Sequence, residues 1–98
     1  FVGDYPMNFL PGEIIGEKTQ EIGFRPEWVE VDKGGLSCLV QSVEVTGEAR
    51  YLICDFKGHT IVLLSKEPHV IDEEIKFEII KYRKYKDGIL LEEECNIS

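Results

Sequence analysis

Two short runs in this chain carry side chains of the kind that bind. Lys81-Tyr82-Arg83-Lys84-Tyr85-Lys86 places four of the eleven basic residues in six positions, with two tyrosines among them. Cations beside aromatics on a β surface can hold phosphate oxygens and stack bases, the chemistry of single-stranded nucleic-acid or small-anion binding. The second run, Ile22-Gly23-Phe24-Arg25-Pro26-Glu27, offers a guanidinium that can fork onto a carboxylate. Pro26 biases Arg25 toward extended backbone, and Glu27 is one candidate partner. The plain reading of Arg25 and Glu27 is an ion pair that holds a turn.

Catalytic chemistry finds less to work with. Cys38, Cys54 and Cys95 are an odd number with no CxxC spacing, and His59 and His69 are far apart with no ligand spacing. Reduced thiols, no metal and no cofactor are therefore expected. Gly34-Gly35 is followed by Leu36-Ser37 rather than by the lysine of a phosphate-cradling loop. No motif places a base near a nucleophile. The acidic runs Glu73-Glu74 and Glu92-Glu93-Glu94 read as solvated. The sequence predicts a chain that is not an enzyme.

The totals bear on the basic run. Nineteen acidic and eleven basic residues among 98 give a net charge of −8, which repels nucleic acid in bulk. If Lys81–Lys86 is a strand, Lys81, Arg83 and Tyr85 face one way and Tyr82, Lys84 and Lys86 the other, which splits the aromatics. A solvated hairpin end before Asp87-Gly88 is the better reading. Lys81, Arg83, Lys84 and Lys86 remain the candidate anion contacts. No apolar run approaches the roughly 18 residues of a membrane span, and a soluble single domain is expected.

The elements that must position these residues read as all-β. Pro6 to Gly12 is irregular, closed by Pro11-Gly12, and Glu13 to Gly16 is a candidate short strand. Glu17 to Gln20 is a polar turn, Ile22 to Arg25 is extended, and Glu27-Trp28-Val29 is a turn. From Leu36 the apolar positions alternate at period two, and they change parity near Gln41-Ser42, which predicts a bulge or sharp bend. Ala49–Phe56 and His59–Leu64 follow as a hairpin over Lys57-Gly58, which sets His59 opposite Phe56 and Cys54 opposite Ile61. Ser65 to Glu74 is a loop. Ile75, Phe77 and Ile79 alternate with Lys76 and Glu78 as a half-buried strand, and Ile89-Leu90-Leu91 closes the β region. Five short strands with a bent first one predict a small OB-like barrel with an irregular N-terminal arm, or else a small β-sandwich.

Three segments, FVGDYPMNFLPGE, IGFRPEWVEV and VEVTGEARYLICDFKGHTIVL, together resemble the C-terminal region of ATP-binding subunits of ABC importers, in the carbohydrate-importer group. The resemblance implies that residues 1–12 connect from an ATPase domain outside this sequence, with Met7, Asn8 and Phe9 at the interdomain contact. Residues 13–98 would form a regulatory, transport-associated OB domain. It further implies a homodimer, with Arg25 and Glu27 as candidates for the contact between copies, and permease subunits as partners through the parent protein. The implied location is cytoplasmic, at the inner face of the cell membrane, and the implied solute is a sugar or a related compound. Two departures stand out. The stretch between Gly12 and Ile22 is shorter than in the maltose importer's ATPase, and Lys86 stands where the family carries an acid.

Overall fold

A computed structural model describes residues 5–95 of the chain. Eight strands run in order among them: β1 (Asn8–Pro11), β2 (Glu21–Phe24), β3 (Val29–Thr46), β4 (Ala49–Phe56), β5 (His59–Ser65), β6 (Glu74–Ile79), β7 (Lys81–Lys86) and β8 (Ile89–Cys95). Two single 3-10 turns, Gly12–Ile15 and Pro26–Trp28, flank β2. The strands form two antiparallel four-stranded sheets, β1-β2-β7-β8 and β5-β4-β3-β6. The fold is all-β, as expected, and the two sheets around one core are compatible with an OB-like barrel.

The bend expected in the first long strand is present. The register of β3 on β4 shifts between Val40 and Ser42. β3 pairs with β6 from Val29 to Leu39 and with β4 from Leu39 to Thr46, so a single strand serves both neighbours largely in turn. The hairpin between β4 and β5 also has the expected register, Phe56 opposite His59 and Cys54 opposite Ile61. Lys57 and Gly58 both take positive φ, as do Asp87 and Gly88, which fits the twist of two-residue hairpin turns. In β6, Ile75, Phe77 and Ile79 are buried while Glu74 and Lys76 are exposed.

Four details correct the expectation. Among the described residues, six strands rather than five cover the region from Leu36 onward, and two more precede it. Asn8–Pro11 is not an irregular arm but an edge strand, in which Asn8 and Leu10 face inward and Phe9 outward. Pro11 is tolerated there because an edge position requires no ladder N–H. Residues 1–4 of the expected arm lie outside the described residues. Glu13 to Gly16 coils rather than extends. A Cβ on Gly12 would stand 2.2 Å from the Thr19 carbonyl oxygen, and Gly16 at φ 83° turns the chain back, so the segment folds upon itself. Finally, β3 begins at Val29, seven residues early. Asp32 to Gly35 form an excursion within it, so that Val31 and Leu36 both stand opposite Phe77.

The core draws unequally on the two sheets. Val29, Cys38, Val40, Leu52, Cys54, Phe56, Ile61, Leu63, Ile75, Phe77 and Ile79 come from the second sheet, but only Leu10, Ile22 and Phe24 from the first. Phe56 and Phe77 meet edge to face at 5.2 Å between centroids. The first sheet is held by a polar device as well. The Asn8 carboxamide donates to the Val62 carbonyl and accepts from the Val62 N–H, both at 2.8 Å. It thereby acts as a peptide group added to the edge of β5, and it ties the edge of one sheet to the edge of the other.

Asn8→Ala strands both backbone groups of Val62. An unsatisfied buried group costs about 1–3 kcal/mol, so we expect a loss of about 2–3 kcal/mol in urea unfolding. Asn8→Asp should be no better, because a carboxylate cannot donate to the Val62 carbonyl. Phe9→Ala, at a half-exposed position on the same strand, should cost about 1 kcal/mol or less. Equal losses at positions 8 and 9 would contradict the assignment.

Candidate functional site

The basic run forms strand β7, which lies between β2 and β8. The Asp87-Gly88 turn brings the acidic run of β8 back against it, with Lys84 opposite Glu92, Arg83 opposite Glu93 and Tyr82 opposite Glu94. Arg83 Nε donates to Glu93 Oε1 at 3.0 Å, and Lys81 Nζ lies 3.5 Å from Glu93 Oε2. Lys84 Nζ sits among three carboxylates, 3.1 Å from Glu92, 3.3 Å from Glu94 and 3.3 Å from Glu17. Its pKa is raised well above the ordinary lysine value, chiefly by the hydrogen bond to Glu92. The Arg83 hydrogen bond holds the Glu93 carboxyl below its usual range. Lys81 and Arg83 also cover the face of Trp28, at 4.6 and 5.2 Å from the ring centre.

Three of the four candidate anion contacts are thus engaged by carboxylates of the same hairpin, and Lys86 stands beside the turn. Glu92 and Glu93 are exposed, as expected, and Glu94 is partly so, but the three are not idle. They are the counter-charges of the basic strand. An opening of about 900 Å³ is lined by Glu17, Lys18, Thr19, Lys84, Lys86 and Glu92, among others. Lys84 there is already shared between Glu17 and Glu92, so the wall presents no net basic surface to a phosphate.

The three residues expected at an interdomain contact divide. Asn8 points inward, its buried carboxamide bonded to the backbone of Val62. Met7 and Phe9 lie on the outer face of the first sheet. Phe9 is 50% exposed, and its ring meets Tyr85 edge-on at 5.6 Å. The Tyr85 hydroxyl lies 3.7 Å from the Met7 sulfur. Beneath them is Gly23, where an added Cβ would stand 2.8 Å from Met7 Sδ, 2.9 Å from Phe9 Cε1 and 3.0 Å from Tyr85 Cε2. The missing side chain lets these three close over β2. Leu90, cross-strand from Tyr85 and 51% exposed, continues the apolar surface.

Arg25 and Glu27 pair with each other, Nε to Oε2 at 2.8 Å. Burial works against the Glu27 charge, but the Arg25 hydrogen bond, a backbone hydrogen bond and the Arg25 charge together outweigh it and lower the carboxyl pKa. The Trp28 N–H also donates to the Arg25 carbonyl at 3.0 Å. The pair therefore clasps the 3-10 turn that leads into β3 and sets Trp28 under Lys81.

No catalytic arrangement emerges from the thiols. Cys38 and Cys54 are buried in the core as neighbouring free thiols, and contact with Cys54 together with burial pushes the Cys38 thiol up, away from the reactive thiolate. Cys95 is exposed. His69, which the sequence reading set aside, is placed between two carboxylates, Asp32 and Glu73. The His-to-Glu spacing of four residues was the available signal.

Two outcomes follow from the charge ladder. Lys84→Met leaves Glu17, Glu92 and Glu94 facing one another, so the thermal midpoint should fall at low salt and recover in part at about 0.5 M NaCl, where like charges are screened. An unchanged midpoint would contradict the ladder. The folded pKa of Glu93 is depressed below 4.5, so its contribution is present above that value and is lost as pH falls through the folded pKa. Glu93→Gln should therefore flatten the acid side of the stability–pH curve and leave the basic side unaltered.

Comparison of the chain with protein-family models, with curated proteins and with solved structures finds no match in any of the three. The likeness to importer ATPases rests on the sequence segments themselves.

Proposed function

We propose that this chain is a non-catalytic regulatory domain that works by docking on protein, of the kind that ends the ATP-binding subunits of ABC importers for sugars or related solutes. One observation carries the reading. The two segments with the most specific resemblance, MNFLPG and GFRPE, lie in and around the adjacent strands β1 and β2 and build the apolar face of Met7, Phe9 and Gly23. Its exposed aromatic and aliphatic side chains, bordered on the same face by the paired Arg83 and Glu93, are of the kind that protein interfaces carry at their core. In this reading the surface takes up the parent ATPase domain or a second copy, and the fold holds subunits together mechanically. The parent would bring the domain to the inner face of the membrane through its permease partners. Among the described residues no helix is long and apolar enough to cross a membrane.

The alternatives of single-stranded nucleic-acid binding and anion sensing draw less support. Both need unpaired cations, and β7 spends Lys81, Arg83 and Lys84 on Glu93, Glu92, Glu94 and Glu17. A net charge of −8 opposes them further.

Sedimentation velocity across concentration tests the proposal, with Phe9→Asp and Arg25→Glu run alongside. Concentration-dependent association is expected. Phe9→Asp should abolish it, and Arg25→Glu should act only through the clasped turn and weaken it less. A monomer at every concentration, combined with binding of a labelled oligothymidylate at low salt, would replace this reading with the nucleic-acid one.

A further inference from the structure

The loop between β5 and β6 contains the one imidazole that is enclosed rather than exposed. The His69 side chain is only 4% exposed, and both ring nitrogens face carboxylates: Nδ1 lies 3.0 Å from Glu73 Oε2, and Nε2 lies 3.2 Å from Asp32 Oδ2. The two acids belong to different parts of the fold. Glu73 ends the loop itself, and its second oxygen accepts the Val70 N–H at 3.0 Å. Asp32 opens the excursion in β3, at φ 65°, in a segment fixed by Gly34, whose absent Cβ would collide with Glu78 Cβ at 2.6 Å. His69 therefore fastens a surface loop to an interruption in the central strand.

We infer that Asp32, His69 and Glu73 form a protonation latch, closed while the imidazole carries both protons and released at Asp32 when it loses one. The argument is one of donor counting. A neutral imidazole has one N–H and one lone pair, whereas two flanking carboxylates can each only accept. Only the imidazolium satisfies both. When one proton leaves, a lone pair must face a carboxylate oxygen in a place shut off from water. Nδ1 keeps its proton, because it is aligned for a hydrogen bond to Glu73. Nε2 forms no aligned hydrogen bond to Asp32 despite its proximity, and the Asp32 side chain is 52% exposed and has water to turn to. Asp32 is the end that lets go.

The surrounding charges do not offer a substitute. On β3, Lys33 is paired with Glu30 at 2.9 Å. The loop adds Lys66, Glu67 and Asp72, and β6 adds Glu74 and Glu78, so the charges in this neighbourhood are mostly acidic. Release affects a defined region. The Asp72 N–H donates to the Val40 carbonyl at 2.7 Å, and Val70 and Ile71 project from the turn at 67% and 59% exposure. At the other end of the latch, Asp32 lines a groove of about 350 Å³ together with Val31, Leu64 and Lys66 among others. Opening the latch widens that groove and frees the apolar turn.

Amide hydrogen exchange followed by NMR on the whole chain, between about pH 5.5 and pH 8, tests the latch, with protection factors corrected for intrinsic rates. Protection at Val70 and Asp72 should fall about fivefold as pH rises, the scale of one partly exposed ion pair, with a midpoint matching the titration of the His69 ring. Amides of β4 should not change. Asp32→Asn should remove the pH dependence, since an amide can donate to the neutral ring, and His69→Gln should remove it as well. Unchanged protection in the wild type, or an equal change retained in Asp32→Asn, would overturn the inference. If His69→Gln does not fold, Asp32→Asn decides alone.

Discussion

The paired hydrogen bonds between the Asn8 carboxamide and the backbone of Val62 govern more of this molecule than any other polar contact. The first sheet supplies only Leu10, Ile22 and Phe24 to the buried core, so apolar packing gives it a small footing. Asn8 adds a fixed point and, with it, a register. Side chains alternate along a strand, so an inward Asn8 compels an outward Phe9 and an inward Leu10. Phe9 then lies over Gly23, and Gly23 lies cross-strand from Arg83. Slipping β1 by one residue would bury a phenylalanine against Val62 and expose the carboxamide, and the apolar outer face would vanish with it.

The other half of the first sheet is organised by charge. Ile22 is fully buried, and its cross-strand neighbour Lys84 faces the same side, as does Glu92 beyond it. The inner surface passes from hydrocarbon to an ion cluster within two strands. Single exposed ion pairs stabilise little, but Lys84 gathers three acids on one face of the hairpin and Glu93 two cations on the other, two clusters within each of which the groups hold one another in place. Such a hairpin has its cations satisfied internally. The same pairing that closes the hairpin neutralises Lys81, Arg83 and Lys84, while Met7, Phe9, Tyr85 and Leu90 gather on the outer face of the sheet.

How legible this was depends on whether each signal was local. The turns at Lys57-Gly58 and Asp87-Gly88, the alternation of Ile75, Phe77 and Ile79, and the parity change near Gln41 are written within a few residues, and the structure has all of them. Strand β1 was not legible, because its partners, Phe24 in β2 and Val62 in β5, are 16 and 54 residues away and its four residues include a proline. Glu13 to Gly16 read as extended on the strength of two isoleucines, but the contact of Gly12 with Thr19 decides otherwise. The charge ladder was half visible. The basic and acidic runs flank a strong hairpin turn, and folding the strand about Asp87-Gly88 opposes them directly. The candidate site was read from type rather than from pairing: Phe9 and Met7 face outward as a docking surface requires, whereas Asn8, Arg25 and three of the basic residues are occupied within the chain.

The central claim is that the outer face of the first sheet is the working surface. Backbone amide chemical shifts recorded over a dilution series, and again with an oligonucleotide added, test it most directly. The account predicts that dilution moves the resonances of Phe9, Gly23, Tyr85 and Leu90, while the oligonucleotide moves none. Shifts confined to Lys81–Lys86 on addition of the oligonucleotide, with the Phe9 face silent to dilution, would contradict it.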